Sequence, residues 1–436
     1  MLASRVNPDD PGTDDQDLTR TLDRIERDVA RLLEGVLEGR ELSVDGGVRL
    51  ALAQGPELRA LVMTADAMRQ CQVGDVVTYV VNRNINFTNI CIKRCAFCAF
   101  SRNPHDASAY FLPHAEIARR TQEAWGLGAT EVCVQGGLPP QPGGRFYIEL
   151  CRTIRQAVPP IHLHAFSPEE ILYGSRQSGI PIAPYLSALK EAGLDTLPGT
   201  AAEILDDEIR DIISHGRIST RQWIDVVTTA HALGIRTSAT MMYGHIEQPI
   251  HWIRHMALLR DIQKATGGFT EFVPLSLVHH EAPIWRYRVV QGVRQGATRT
   301  EVVKAHALAR LMLGATFRNI QASWVKEGPR FAQYLLTAGA NDVGGTLMNE
   351  SISMSAGARY GEFMLPAALR RLIREIGRAP AQRSTTYQCL RRYDDVDEAV
   401  DPLDRLADPE ARFGSYRTLI ASHAFRYERM RRGCRV

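Results

Sequence analysis

Three cysteines fall within eight residues, Cys91-Ile-Lys-Arg-Cys95-Ala-Phe-Cys98, a C-x3-C-x2-C spacing. Thiolates are the usual ligands of iron–sulfur clusters, and a [4Fe-4S] cubane has four irons to hold. Three cysteines leave one iron without a protein ligand, and such an open position separates a reactive metal site from a structural one. The competing readings are a structural zinc site and three incidental thiols. Structural zinc prefers two paired ligand sets, and the chain has no second C-x2-C. Cys71, Cys133, Cys151, Cys389 and Cys434 stand alone and read as small buried hydrophobes or inert thiols.

The elements that must position such a loop follow from hydrophobic patterning. From Val76 onward, β-rich runs alternate with helical ones. Strands are expected at Val76–Asn86, Glu131–Gln135, Ile161–Phe166, Asp195–Leu197, Arg236–Met242, Thr270–Val278, Ile320–Trp324 and Asp342–Leu347. Eight strand–helix units favour an α/β fold of the parallel (β/α) barrel type, in which active sites sit on the loops after the strands. The cysteine loop follows the first strand. Residues 1–75 are expected to form a helical cap whose first 17 or so residues are a disordered lead-in. The barrel is expected over 76–364, and a C-terminal helical extension and tail over 365–436.

Strand ends carry further polar groups: His162 and His164, Thr200 and Glu203, Thr240, Tyr243 and His245, Glu271, His279 and His280, Gln321 and Ser323, Asn349 and Glu350. Any one of these is more often structural than catalytic. Tyr243, His245 and His164 are the candidates for proton transfer or substrate hydrogen bonding. Glu203 could take two ribose hydroxyls or could simply favour a helix start. Gly136-Gly137, ending the second strand, would let backbone approach a ligand closely, though a glycine pair is more often a plain turn.

The whole chain sets limits. A formal net charge of +3 on 436 residues gives no reason to expect nucleic acid or a membrane surface as partner. No apolar run approaches the roughly 18 residues of a membrane span. The acidic N-terminus (Asp9, Asp10, Asp14, Asp15, Asp17) is unlike a secretory or transit peptide, so a cytoplasmic location is expected.

The cysteine loop on a barrel pattern resembles the radical S-adenosylmethionine (SAM) superfamily. That resemblance implies a [4Fe-4S] cluster on Cys91, Cys95 and Cys98, with SAM chelating the fourth iron. An electron then breaks a sulfonium carbon–sulfur bond to give a 5′-deoxyadenosyl radical. It also implies SAM contacts from Phe97, Gly136, Gly137, Thr200 and Glu203. The segments VVNRNINFTNICIKRCAFCAFSR, QGGLPP, IHLHAFSPEEI, LPGTAAEILDDEIR, TSATMMYGH, FVPLSLVHHEAP and GANDVGGTLMNESIS go further. Over about Leu42 to Tyr387 the chain is similar to the second subunit of FO synthase. This is the 5-amino-6-(D-ribitylamino)uracil–L-tyrosine 4-hydroxyphenyl transferase family of coenzyme F(420) biosynthesis. The resemblance implies transfer of the 4-hydroxybenzyl group of L-tyrosine to the ribityl-uracil, with loss of 2-iminoacetate. It implies FO synthase subunit 1 as functional partner and a one-electron reductant. Arg83 and the rim histidines become candidates for the substrate carboxylate and the ribityl chain. The single cysteine motif fits a separate subunit rather than a fusion. The alternative is a menaquinone-pathway enzyme of the dehypoxanthine futalosine cyclase or aminofutalosine synthase type. The tail after Tyr387 exceeds the usual family length and has no assigned role.

Overall fold

The computed structural model describes residues 13–393 and 400–427. β1 (Val76–Val80) and β2 (Asn82–Asn86) are the expected first run, interrupted at Val81; β3 (Glu131–Gln135), β4 (His162–Ala165), β5 (Thr196–Leu197), β6 (Arg236–Tyr243) and β7 (Phe269–Ser276) follow. β2 through β7 form one six-stranded sheet in sequence order, every pair parallel. Helices such as His114–Gly126, Arg145–Ala157 and Pro249–Thr266 make the crossovers that parallel neighbours require. β8 (Asp342–Gly345) lies parallel to one edge of β1, and β9 (Ala379–Arg383) parallel to the other. β10 (Cys389–Arg392) returns antiparallel to β9. Three single-residue parallel bridges join the two sheets: Phe272 with Ile320, Gln321 with Asp342, and Arg83 with Met348.

Two expectations are corrected here. Ile320–Trp324 is not a strand beyond the bridges at Ile320 and Gln321, because Trp324 begins the short helix Trp324–Glu327. Its indole is buried and donates to the Gly345 carbonyl at 2.9 Å, so the aromatic signal came from packing. The C-terminal extension is not helical throughout. After the helix Pro366–Arg374 it supplies β9 and β10, which Pro380 and the polar residues disguise.

The turn between β9 and β10 reaches the end of the barrel sheet where the strands begin. Arg383 Nε donates to Asp342 Oδ2 at 2.5 Å and stands 3.7 Å from Glu271, while the Thr385 hydroxyl donates to Glu131 at 2.7 Å. Asn82 donates to the same Glu131 carboxylate at 2.9 Å. This charged network floors the sheet interior.

The N-terminal region is helical as expected: Thr13–Leu22, Arg27–Leu37, Val44–Ala51 and Gly55–Val73. A helix begins at Thr13, within the stretch expected as a disordered lead-in, and buries Leu18; residues 1–12 lie outside the described residues. A Cβ on Gly47 would stand 2.8 Å from both Ile253 and Met312, so a glycine there lets its helix lie directly on the barrel helices. Arg260 and Lys304 donate to the Leu42 and Ala51 carbonyls, each at 2.8 Å. Among the described residues no helix is long and apolar enough to cross a membrane.

Candidate active site

The loop after β2 is tied to itself before it presents any thiol. The Thr88 hydroxyl donates to the Tyr110 carbonyl (2.7 Å), the Asn89 amide donates to the Ser108 carbonyl (2.8 Å), and the Asn89 side-chain oxygen accepts the Tyr110 N–H (2.9 Å). Arg102 holds the Ala99 and Ser101 carbonyls at 2.7 and 2.9 Å. Ala96 fixes the middle of the loop, donating to Ile213 at 2.8 Å and accepting from Ile284 at 2.6 Å. These bonds set Cys91, Cys95 and Cys98 on the wall of one cavity of about 250 Å³.

The cysteines fit the implied cluster by their chemistry. Burial pushes the Cys95 thiol up to about 12 and the Cys98 thiol upward as well. All three sulfurs are free of disulfides. Thiols that share a cavity are sites where metal can replace protons. Among the described residues no three Cys, His, Asp or Glu groups already stand as a single-ion site. A cubane spreads its thiolates over separate irons and asks for a wider set.

Around this wall the structure assembles several groups foreseen as SAM contacts. Phe97, Gly136, Gly137, Thr200 and Glu203 all line the cavity. The glycine pair is explained by packing. A Cβ on Gly137 would lie 2.1 Å from the Ile90 carbonyl oxygen, and one on Gly136 would lie 2.7 Å from the Phe87 ring. Their N–H groups are already used, Gly136 donating to Glu170 at 3.0 Å and Gly137 to the Thr88 carbonyl at 2.9 Å. Thr200 accepts from the Gln135 amide at 2.7 Å. Glu203 (φ +45°) and Ala201 (φ +63°) occupy the left-handed region, a conformation that non-glycine residues keep only when their surroundings hold it. There the Glu203 carboxylate meets Arg217 at 2.9 Å.

Arg217, Glu169, Glu170 and Lys326 also line the cavity and were missed from the sequence. Glu170 had a local signal, the S-x-x-E box formed with Ser167, which caps the helix Pro168–Ser178. Its carboxyl accepts from Ser167 and Gly136, yet burial pushes it up to about 7. Arg217 and Lys326 had none, because long-range packing brings them there.

The three candidates for proton transfer sit elsewhere. Strand alternation turns Met242 into the cavity and Tyr243 away from it. Tyr243 is fully buried against Trp252 at 5.3 Å, with no hydrogen-bond partner for its hydroxyl among the described residues. His245 is buried between Glu247 (3.0 Å) and the Met242 carbonyl (3.1 Å), and burial lowers its pKa. His164 shares the Thr196 hydroxyl with His162 at 2.7 and 2.8 Å, and burial brings it down to about 4. None of the three lines the cavity. The suggestion that Arg83 anchors a substrate is corrected likewise. Its guanidinium is buried against Glu123 (2.7 Å), Asn349 (2.8 Å) and the Phe413 ring (5.1 Å). His279 and His280 lie with their rings tilted at 41° and 4.1 Å apart, and neither lines the cavity.

A parallel α/β sheet with a three-cysteine loop at its strand ends defines a radical SAM protein. Residues 85–259 match the Radical SAM superfamily model, and 266–396 match the CofH/MqnC C-terminal region. The chain belongs to the family of the FO synthases and 5-amino-6-(D-ribitylamino)uracil–L-tyrosine 4-hydroxyphenyl transferases. The transferase of that name from Methanocaldococcus jannaschii is 50% identical over 330 residues, 75% of this chain and 91% of that one. FO synthase of Mycobacterium tuberculosis is 49% identical over 372 residues, 85% of this chain. The chain spans 43% of the length of that FO synthase. In fold it is similar to methylornithine synthase (PylB), with TM-score 0.61 and 19% identity over 80% of this chain and 97% of that one. The hydrogenase maturase HydG from Carboxydothermus hydrogenoformans gives TM-score 0.64 and 16% identity over 85% and 84%.

Proposed function

We propose that this chain is a radical SAM transferase. It joins the 4-hydroxybenzyl group of L-tyrosine to 5-amino-6-(D-ribitylamino)uracil, releasing 2-iminoacetate, methionine and 5′-deoxyadenosine, in FO and coenzyme F(420) biosynthesis. The observation that carries the reading is the 50% identity to the M. jannaschii transferase across 91% of that protein. An eight-stranded barrel over 76–364, with 1–75 as a cap and 365–436 as an extension, would close through the single-residue bridges between the two sheets. Cys91, Cys95 and Cys98 would hold the [4Fe-4S] cluster and leave its fourth iron to SAM. When bound, the cluster and SAM supply a 5′-deoxyadenosyl radical.

The chain's own residues do the rest. Phe97 offers an aromatic face to the adenine. The Gly136 and Gly137 carbonyls can accept from the SAM ammonium. Glu203 and Thr200 stand where ribose hydroxyls can be held. Leu138, Met242, Leu275 and Leu277 make the wall apolar and keep water from a reactive radical. The product would pass to FO synthase subunit 1, and a one-electron reductant is required. A cytoplasmic setting, where thiols stay reduced, suits free cysteines.

The test is an anaerobic assay of the reconstituted protein with SAM and reductant. L-tyrosine and the diaminouracil together should give 5′-deoxyadenosine and the coupled product by mass spectrometry. Formation of 5′-deoxyadenosine with futalosine derivatives only would overturn the reading in favour of the menaquinone alternative.

A further inference from the structure

Three cations line the cavity among the described residues, and two of them are committed. Lys93 donates to the Gly216 carbonyl and lies 3.7 Å from Glu169. Arg217 is paired with Glu203 at 2.9 Å and lies 3.5 Å from Glu169. The third, Lys326, has no ion pair and no side-chain hydrogen bond among the described residues. It stands on the short helix Trp324–Glu327, which is pinned on both sides of it. The Trp324 indole holds the Gly345 carbonyl, and Glu327 accepts from the Ser276 hydroxyl at 2.5 Å. The backbone under Lys326 is therefore fixed, and the residue lines the cavity.

A desolvated cation without a partner is costly to keep. Burial lowers the pKa of Lys326, and Glu350, Glu327 and Glu203 oppose that fall from beyond ion-pair distance. Glu350 is itself engaged, accepting the Ser353 N–H at 2.9 Å. The arrangement is complementary to an anion arriving in the cavity. Two α-carboxylates enter this cavity under the proposed function, on which this inference rests: that of SAM and that of the amino acid. Lys93 and Arg217 stand on the cysteine side. Lys326 stands on the helix whose Glu327 meets Ser276 at the end of β7, and it lines the cavity together with Ser276, Val278 and Ser353. We propose that Lys326 binds the α-carboxylate of the amino-acid substrate and selects for amino acids over their decarboxylated amines.

The experiment measures binding of L-tyrosine and of tyramine, which lacks the carboxylate, to the reconstituted SAM-bound protein by calorimetry. In Lys326→Gln, tyrosine binding should weaken by about 10- to 100-fold, the range of a hydrogen bond to a charged group. Tyramine binding, iron content and SAM affinity should not change, and Lys326→Arg should keep most of the tyrosine affinity. Equal loss for tyrosine and tyramine, or loss of SAM affinity in place of tyrosine affinity, would overturn the assignment. So would tyrosine binding by Lys326→Gln equal to wild type. A wild-type protein that binds no tyrosine overturns the functional reading instead, and this assignment with it.

Discussion

The Arg217 guanidinium stands 2.9 Å from the Glu203 carboxylate and 5.8 Å from the centre of the Phe97 ring. One side chain thus joins the candidate ribose ligand, the candidate adenine platform and the cysteine loop. Replacing it leaves Glu203 without its cation, and Glu169 with Lys93 alone, in a mostly buried place. Arg217→Met should destabilise the protein by about 3 kcal/mol and lower SAM affinity. Arg217→Lys should recover part of both, because it restores the charge without the fork of donors. Thermal denaturation and equilibrium dialysis with SAM check this.

Cluster ligation predicts a different pattern. Alanine at Cys91, Cys95 or Cys98 should abolish the roughly four irons and matching sulfide per chain of a cubane. Alanine at buried Cys151 should leave the iron load intact. Iron and sulfide analysis after anaerobic reconstitution reads both. One tightly bound zinc per chain and no SAM cleavage would sink the cluster assignment.

Glu271, in the floor network, is pushed up to about 7 by burial, against the opposing charge of Arg383. A carboxyl whose folded pKa exceeds its unfolded value stabilises the fold while protonated. Its contribution is present below the unfolded value of 4.5 and disappears as the pH rises toward 7. Wild type should therefore lose stability relative to Glu271→Gln between about pH 4.5 and 7, by up to about 3 kcal/mol, and run parallel to it above that. Urea denaturation of both proteins across this window tests the sign.

The tail that had no assigned role packs against the cysteine loop and its surroundings. Tyr416 lies 6.1 Å from Phe100 and donates its N–H to Glu362 at 2.9 Å. Asn349 donates to the Gly414 carbonyl at 2.9 Å, Arg412 pairs with Glu123 at 2.9 Å, and Phe111 donates to the Phe425 carbonyl at 2.8 Å. A chain ending at Tyr393 should still fold its sheet but lose iron faster to a chelator than the full chain. Phe413→Ala, which also strips the ring from Arg83, should cost about 3 kcal/mol. Chelator kinetics and thermal denaturation check the two effects.

What the sequence revealed and hid follows from how far each signal reaches along the chain. The cysteine spacing and the strands at Glu131–Gln135 and Arg236–Tyr243 are local patterns and were legible. The face of a strand end was not. Tyr243 and His245 lie at the end of β6 as expected, but a one-residue alternation sends Met242 inward and Tyr243 against Trp252. Arg83 looked like a free cation because Glu123 and Asn349 are 40 and 266 residues away in sequence. Arg217 and Lys326 were invisible for the same reason. The hairpin of β9 and β10 was hidden because Pro380 and the arginines carry no strand signature.

That hairpin bears on access. With Arg383 locked to Asp342 and Thr385 to Glu131, the end of the sheet away from the cysteines is covered by ionic and hydrogen-bonded side chains. Under the proposed function, whatever reacts would come and go by the rim where the thiols stand. A vessel with one mouth imposes a queue: whatever sits deepest must be loaded first, and spent fragments leave past the later arrivals.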